Sequence, residues 1–215
     1  MKYAIMCGGV YTNWDEPKQL VKINGEPIVA RTIRLLRQNG IDDIVITSND
    51  DRFNQFGVPV LKHQNDYTAT EYNDCTGAWY NCFYPMNEPV CYLFGDVIYS
   101  PKAIRTIVEY PVREIMFFAS APPFAEEYPK KYVEPFAFKV VNTERFKQAL
   151  DAVRDYHRRG RFKREPIAWE VWQVIGGWSL DYRDVDYRTY VHINDYTCDI
   201  DTPEDVKLFE GVVHG

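Results

Sequence analysis

The pentapeptide Val90-Cys91-Tyr92-Leu93-Phe94 has no polar alternation and runs straight into Gly95-Asp96. A stretch that is apolar at every position suits a strand covered on both faces, the condition of a parallel sheet flanked by helices. Such a strand needs companions, and the rest of the chain supplies them. Residues 2 to 7 and Ile44-Val45-Ile46-Thr47 read as strands, with Val58-Pro59-Val60-Leu61 as a short third. Ile115 to Ala119, residues 134 to 141 and residues 189 to 193 add three more. Between them lie segments of helical spacing. Pro27 to Asn39 sets Ile28, Ile33, Leu35 and Leu36 on one stripe, and Gly40 stops it. Residues 73 to 84, a segment opened by Ser100-Pro101, another opened by Asn142-Thr143, and residues 166 to 175 also read as helices. Thr202-Pro203-Glu204-Asp205 announces a last helix with a capping box. This alternation predicts an α/β fold of three layers, with helices on both sides of a mixed, mainly parallel sheet. All 215 residues are expected to form one domain.

Charge and cysteine usage narrow the partners. A formal charge of −6 argues against a general nucleic-acid binder, whose affinity rests on clustered Lys and Arg. The one basic run, His157 to Arg164, is either a solvated helix end or an anion site. Cys7, Cys75, Cys82, Cys91 and Cys198 are odd in number and widely spaced, with no Cys-x-x-Cys pair. That spacing excludes the usual zinc sites and points to a reducing, cytoplasmic setting. No run of 18 apolar residues exists, so no membrane partner is expected.

In an open parallel sheet, ligands collect at the carboxyl ends of the strands. Three features fall there. Gly8-Gly9 directly after the first strand lets the backbone approach a phosphate, and Lys18 can meet its charge. An ordinary turn would use the same glycines. Asp96, at the end of the apolar run, needs a cation or a cap. Asp199 and Asp201 point the same way if extended, and a hard ion such as Mg²⁺ removes their mutual repulsion.

Strand-Gly-Gly, then Pro17-Lys18-Gln19-Leu20, then "INGEPIV", then an apolar strand ending in Gly-Asp, then "DIDTPEDV": in this order the chain resembles nucleotidyltransferases of the MobA-like and sugar-phosphate type, which share a glycosyltransferase-A-like fold. The likeness covers nearly the whole chain. It implies transfer of a nucleoside monophosphate from an NTP to a small phosphorylated acceptor, with release of pyrophosphate. It also implies that Cys7, Gly8, Gly9, Val10, Gly95 and Lys18 line the triphosphate, that Asp96 and Asp201 hold Mg²⁺, and that Asp199 stands beside them. Residues 1–119 would then be the nucleotide-binding half and 120–190 the acceptor half, with 191–215 supplying the second metal ligand and the last helix. The family loop usually reads Gly-Gly-x-Gly-x-Arg, whereas Tyr11 and Asn13 stand at its third glycine and its arginine. Asn73, Asp74 and Thr76 loosely resemble the signature of phosphocholine-type cytidylyltransferases, which favours CTP; the same residues could cap a helix. Glu134, Trp169 and Glu170 are acceptor candidates, since Trp and carboxylate together can hold an amine. Alternatively Ile167, Val171, Val174 and the two Trp residues build an amphipathic helix on the core. The resemblance leaves room for a homodimer and for a role in polysaccharide biosynthesis. The rival readings are a sugar-nucleotide-dependent glycosyltransferase of the same fold and a catalytically weak nucleotide-binding protein.

Overall fold

The computed structural model describes residues 1–8, 14–63, 80–162, 166–181 and 185–213. In chain order the elements begin with β1 (Lys2–Met6), a 3₁₀ turn at Lys18–Leu20, and the hairpin β2 (Lys22–Ile23) and β3 (Glu26–Pro27). Asn24 and Gly25 close that hairpin with φ of 50° and 84°. Then follow α1 (Ile28–Gln38), β4 (Ile44–Thr47), a 3₁₀ segment Asp51–Phe56, β5 (Val60–Leu61), β6 (Val90–Phe94) and β7 (Val97–Ile98). The second half holds α2 (Pro101–Glu109), β8 (Ile115–Ala119), β9 (Pro135–Val140), α3 (Thr143–Arg158) and α4 (Ala168–Gly176). A 3₁₀ turn (Tyr187–Thr189), β10 (Val191–His192), β11 (Cys198–Asp199) and α5 (Pro203–Glu210) complete it.

The helix boundaries fall where the caps predict. Gly40 ends α1 with φ of 76°, Ser100 Oγ accepts from the Ala103 N–H, and Asn142 Oδ1 accepts from the Arg145 N–H. Two strands are shorter than the sequence suggests. Pro59 has no N–H to donate, so its carbonyl accepts from Ile46 but pairing starts at Val60. The stretch expected from 189 narrows to Val191–His192, because Tyr187–Thr189 folds as a 3₁₀ turn. Most of the helix expected over 73 to 84 lies outside the described residues.

Seven strands join in the order β10-β8-β9-β6-β1-β4-β5. All neighbours are parallel except β9, which runs antiparallel to both β6 and β8. The sheet is mixed and mainly parallel, as expected. Its register puts Tyr92, Phe138 and Phe117 on one face, where Phe117 and Phe138 stack at 4.6 Å. Phe146 of α3 stacks on Tyr92 at 5.6 Å, and Trp169 and Trp172 of α4 lie 5.1 and 5.8 Å from Phe117. On the other face, Lys139 sends its ammonium to the carbonyls of Ile107, Val108 and Tyr110 at the end of α2. Helices thus cover both faces and make three layers. The middle strand β6 is buried at every position, as its composition requires.

Candidate active site

The site begins where β1 and β6 end side by side. Gly95 donates its N–H to the Met6 carbonyl at 3.0 Å, and a Cβ placed on Gly95 would lie 2.2 Å from that same oxygen. Only glycine allows this approach. The close turn hands the chain directly to Asp96 and then to β7, which pairs antiparallel with β11. Val97 faces Asp199 in that ribbon, and the Ile200 N–H bonds to the Asp96 carbonyl at 3.1 Å. Asp96, Asp199 and Asp201 are therefore brought together by backbone pairing. The capping box of α5 holds the last of them: Asp205 Oδ2 accepts the N–H groups of Asp201 and Thr202 at 2.8 and 2.9 Å. Trp14 Nε1 donates to the Asp201 carbonyl at 3.2 Å.

Two ammonium groups enter this acidic corner. Lys18, carried by the 3₁₀ turn after Pro17, lies 3.5 Å from Asp96 Oδ2 and 3.3 Å from Asp201 Oδ1. Lys130 donates to Asp199 Oδ1 at 2.7 Å and to Asp201 Oδ2 at 2.8 Å, with Glu134 Oε1 at 3.5 Å. Asp201 thus spans both lysines, one oxygen to each. Burial opposes the charge on both lysines, but the aspartates outweigh it, so both pKa values rise above the ordinary lysine value. Burial and the neighbouring Asp199 raise the Glu134 pKa well above the ordinary glutamate value, against the pull of Lys130. Burial also lifts Asp199 to about 6, whereas at Asp201 burial is outweighed by the combined hydrogen bonds and charges of Lys130 and Lys18, and its pKa falls. An all-oxygen donor set of this kind suits a hard divalent ion.

The expected residues are distributed as follows. Lys18, Gly95, Asp96, Asp199 and Asp201 converge, and Glu134 joins them through Lys130. Gly8 lies beside this corner, sharing with Gln19, Gly95 and Asp96 the wall of a cavity of about 30 Å³. Its missing Cβ leaves room for Cys82, whose Sγ would otherwise stand 2.1 Å away. Cys7 is fully buried, its thiol pKa driven up by burial, and its N–H bonds to the Thr47 carbonyl. Gly9, Val10, Tyr11, Asn13, Asn73 and Thr76 lie outside the described residues. Trp169 packs edge-on against Phe117 and Tyr190, and Glu170 accepts the Ile167 N–H at 2.8 Å as the cap of α4. In the basic run, Arg159 pairs with Asp155 and Arg161 with Asp181 at the surface. A roomier cavity of about 610 Å³ lies against α3, lined by Tyr80, Phe83, Phe146 and Arg154 among others. It contains none of the acidic corner, and converging charge rather than volume marks the site.

Lys130 is the member of this corner that sequence reasoning missed. It sits in a loop, beside Lys131 and within no motif, and only the fold brings it to residues 199 and 201. The described cysteines Cys7, Cys82, Cys91 and Cys198 are buried and unbridged. No helix among the described residues is long and apolar enough to cross a membrane.

Comparison with known proteins agrees with this fold. The family model of the MobA-like NTP transferase domain matches residues 3–161. No curated protein sequence gives a significant match. Among solved structures, the inositol-1-phosphate CTP transferase from T. maritima superposes with a TM-score of 0.57 at 14% identity, covering 97% of this chain and 94% of the other. The CTP:phosphocholine cytidylyltransferase from Streptococcus pneumoniae gives 0.53 at 15% identity, covering 98% of each chain. The 4-diphosphocytidyl-2C-methyl-D-erythritol synthase from Anaerococcus prevotii gives 0.54 at 14% identity, covering 98% and 96%. At these identities the likeness speaks for the fold.

Proposed function

The chain belongs to the family of MobA-like NTP transferase domains, and we propose that it transfers a nucleoside monophosphate from an NTP, with CTP preferred, to a small phosphorylated acceptor. Pyrophosphate is the leaving group. The observation that carries this reading is the meeting of Lys18, Asp96 and Asp201 at the ends of β1 and β6, from positions 78 and 183 residues apart in the chain. A fold that gathers two carboxylates and an ammonium where a sheet receives ligands has the parts for handling a polyphosphate.

In-line attack at the α-phosphorus asks little covalent chemistry of the protein; positioning and charge neutralisation do most of the work. Asp96 and Asp201 would hold Mg²⁺, and that ion supplies charge neutralisation on the phosphate oxygens. Lys18 donates to the same polyphosphate, and Gly8 lets the backbone come close to it. Asp201 keeps its orientation because Asp205 and Trp14 fix its N–H and carbonyl, leaving only the carboxylate to respond to a ligand. The acceptor reading rests on Glu134. Burial favours the neutral form of this carboxyl, which can donate a hydrogen bond to an anionic acceptor oxygen, and Glu134 stands at the corner beside Lys130. Trp169 and Glu170 are committed to core packing and a helix cap, so they are not assigned to the acceptor. The middle strand ends Gly95-Asp96-Val97, without the Asp-x-Asp usual in sugar-nucleotide glycosyltransferases, which favours the nucleotidyl reading over its rival.

Fold likeness does not choose a base, so the assay offers all four NTPs with Mg²⁺ and a panel of phosphorylated sugars, polyols and amino alcohols. Pyrophosphate release that is greatest with CTP and requires an acceptor is the expected result. Tight NTP binding with no pyrophosphate from any pair would replace this reading with that of a nucleotide-binding protein. Asp96→Asn and Asp201→Asn should each lower the rate by about a thousandfold, equivalent to roughly 4 kcal/mol of barrier.

A further inference from the structure

The two ammonium groups of the acidic corner stand on different terms. Lys18 keeps 20% of its side chain exposed and meets its carboxylates at 3.3 and 3.5 Å. Lys130 keeps 6%, and its contacts with Asp199 and Asp201 are 2.7 and 2.8 Å. Glu134, Asp199 and Asp201 can each bring an oxygen within 4.8 Å of the others, a spacing that would suit a divalent ion. The Lys130 ammonium lies within 3.5 Å of all three carboxyl groups, and its three N–H donors match their number. Asp201 is shared, turning its other oxygen to Lys18 and the outer position.

We propose that the Lys130 ammonium is the resident cation of the inner trio Glu134, Asp199 and Asp201, standing where a second divalent ion would bind and confining Mg²⁺ to the outer pair Asp96 and Asp201. This rests on the metal reading above and adds to it the number of ions and the reason for that number. Expelling the ammonium would leave a buried charge without carboxylate partners, and separating such a group from its counter-ions is costly. The nearby Tyr132 ring, 5.4 Å from the ammonium, is a weak substitute for two carboxylates. An ammonium also needs no dehydration by an incoming ligand, so the inner trio stays neutralised whether or not nucleotide is present.

The test counts Mn²⁺ bound per chain at equilibrium, by dialysis and electron paramagnetic resonance, on the full chain. The wild type should bind one equivalent, and Lys130→Met, which keeps the apolar stem of the side chain and lacks its terminal charge, should bind one more. A folded Lys130→Met protein that binds no more Mn²⁺ than wild type overturns the inference. A second comparison does not depend on that variant folding. In the otherwise wild-type chain, Asp96→Asn should lose the bound Mn²⁺ and Asp199→Asn should keep it; loss in Asp199→Asn would put a divalent ion in the inner trio and overturn the inference. The metal reading fails separately. A wild type that binds none while Lys130→Met binds one supports a resident Lys130 and refutes the outer pair, whereas one equivalent in each protein does the reverse.

Discussion

Gly95 is the residue whose replacement has the most direct structural consequence. A Cβ there meets the Met6 carbonyl at 2.2 Å, and that oxygen belongs to the backbone of a strand fixed on both sides. Neither strand can give way cheaply, so Gly95→Ala should cost about 2 kcal/mol or more, read as a lower denaturant midpoint, and should lower activity further by moving Asp96. Glu26 supports a different forecast. Its carboxylate accepts two hydrogen bonds from Arg34 at 2.8 and 2.7 Å, which outweigh partial burial and hold its pKa below 4.5. A carboxylate lowered in the folded state contributes stability that is complete above the unfolded value and is lost as pH falls through the folded one. Glu26→Gln should therefore melt below wild type at pH 7, with the gap closing as the pH drops below 4. A gap that stays constant with pH would show that the pair acts through packing alone. At this scale the aspartates and Lys18 were legible, because motif and strand end coincide. Lys130 was not, since nothing local distinguishes a loop lysine that will be buried from one that will be solvated.

Elements were legible wherever a local signal terminates them. Gly40, Ser100, Asn142 and the Thr202 to Asp205 box all act as read, and the burial of β6 follows from its composition. The hairpin of β2 and β3 carried a signal that went unread, since Asn24-Gly25 is the residue pair that a tight primed turn prefers. Other features have no local signature at all. The antiparallel direction of β9 and the two-residue ribbon of β7 with β11 depend on partners far along the chain, and that ribbon is what sets Asp199 beside Asp96. Lys139 shows how a polar position inside β9 is reconciled with burial. Its ammonium meets the carbonyls of Ile107, Val108 and Tyr110, so it works as a C-terminal cap for α2 reaching across from the sheet. Lys139→Met would leave those carbonyls buried against an apolar chain. The expected loss is about 2–3 kcal/mol in denaturant unfolding, with faster amide exchange concentrated at the end of α2. Exchange that quickens evenly over the whole sheet would argue that Lys139 is general packing and not a cap.

At the scale of the whole molecule, charge and topology make opposing demands on a polyphosphate. The chain carries a formal charge of −6, so its general field repels a nucleoside triphosphate. Under the proposed function, attraction comes from the corner where Lys18 lies at the glycine-lined strand ends, and the carboxylates of that corner add repulsion unless a divalent cation covers them. Nucleotide and metal should accordingly bind as a unit. Because the corner is assembled from β1, β6 and β11, which meet only in the folded chain, their joint binding must appear as stability. CTP with Mg²⁺ at about a hundred times its dissociation constant should stabilise the fold by about 2.7 kcal/mol, a rise in Tm of roughly 5–10 °C for a chain of this size. CTP with chelator should produce little of that rise, and Asp201→Asn should lose most of it, because the carboxylate is removed while the Asp205 cap and the Trp14 contact to its backbone persist. A rise that is equally large with chelator present would mean that the lysines alone hold the nucleotide, and that the acidic corner serves to position Lys18 and Lys130 instead of a metal.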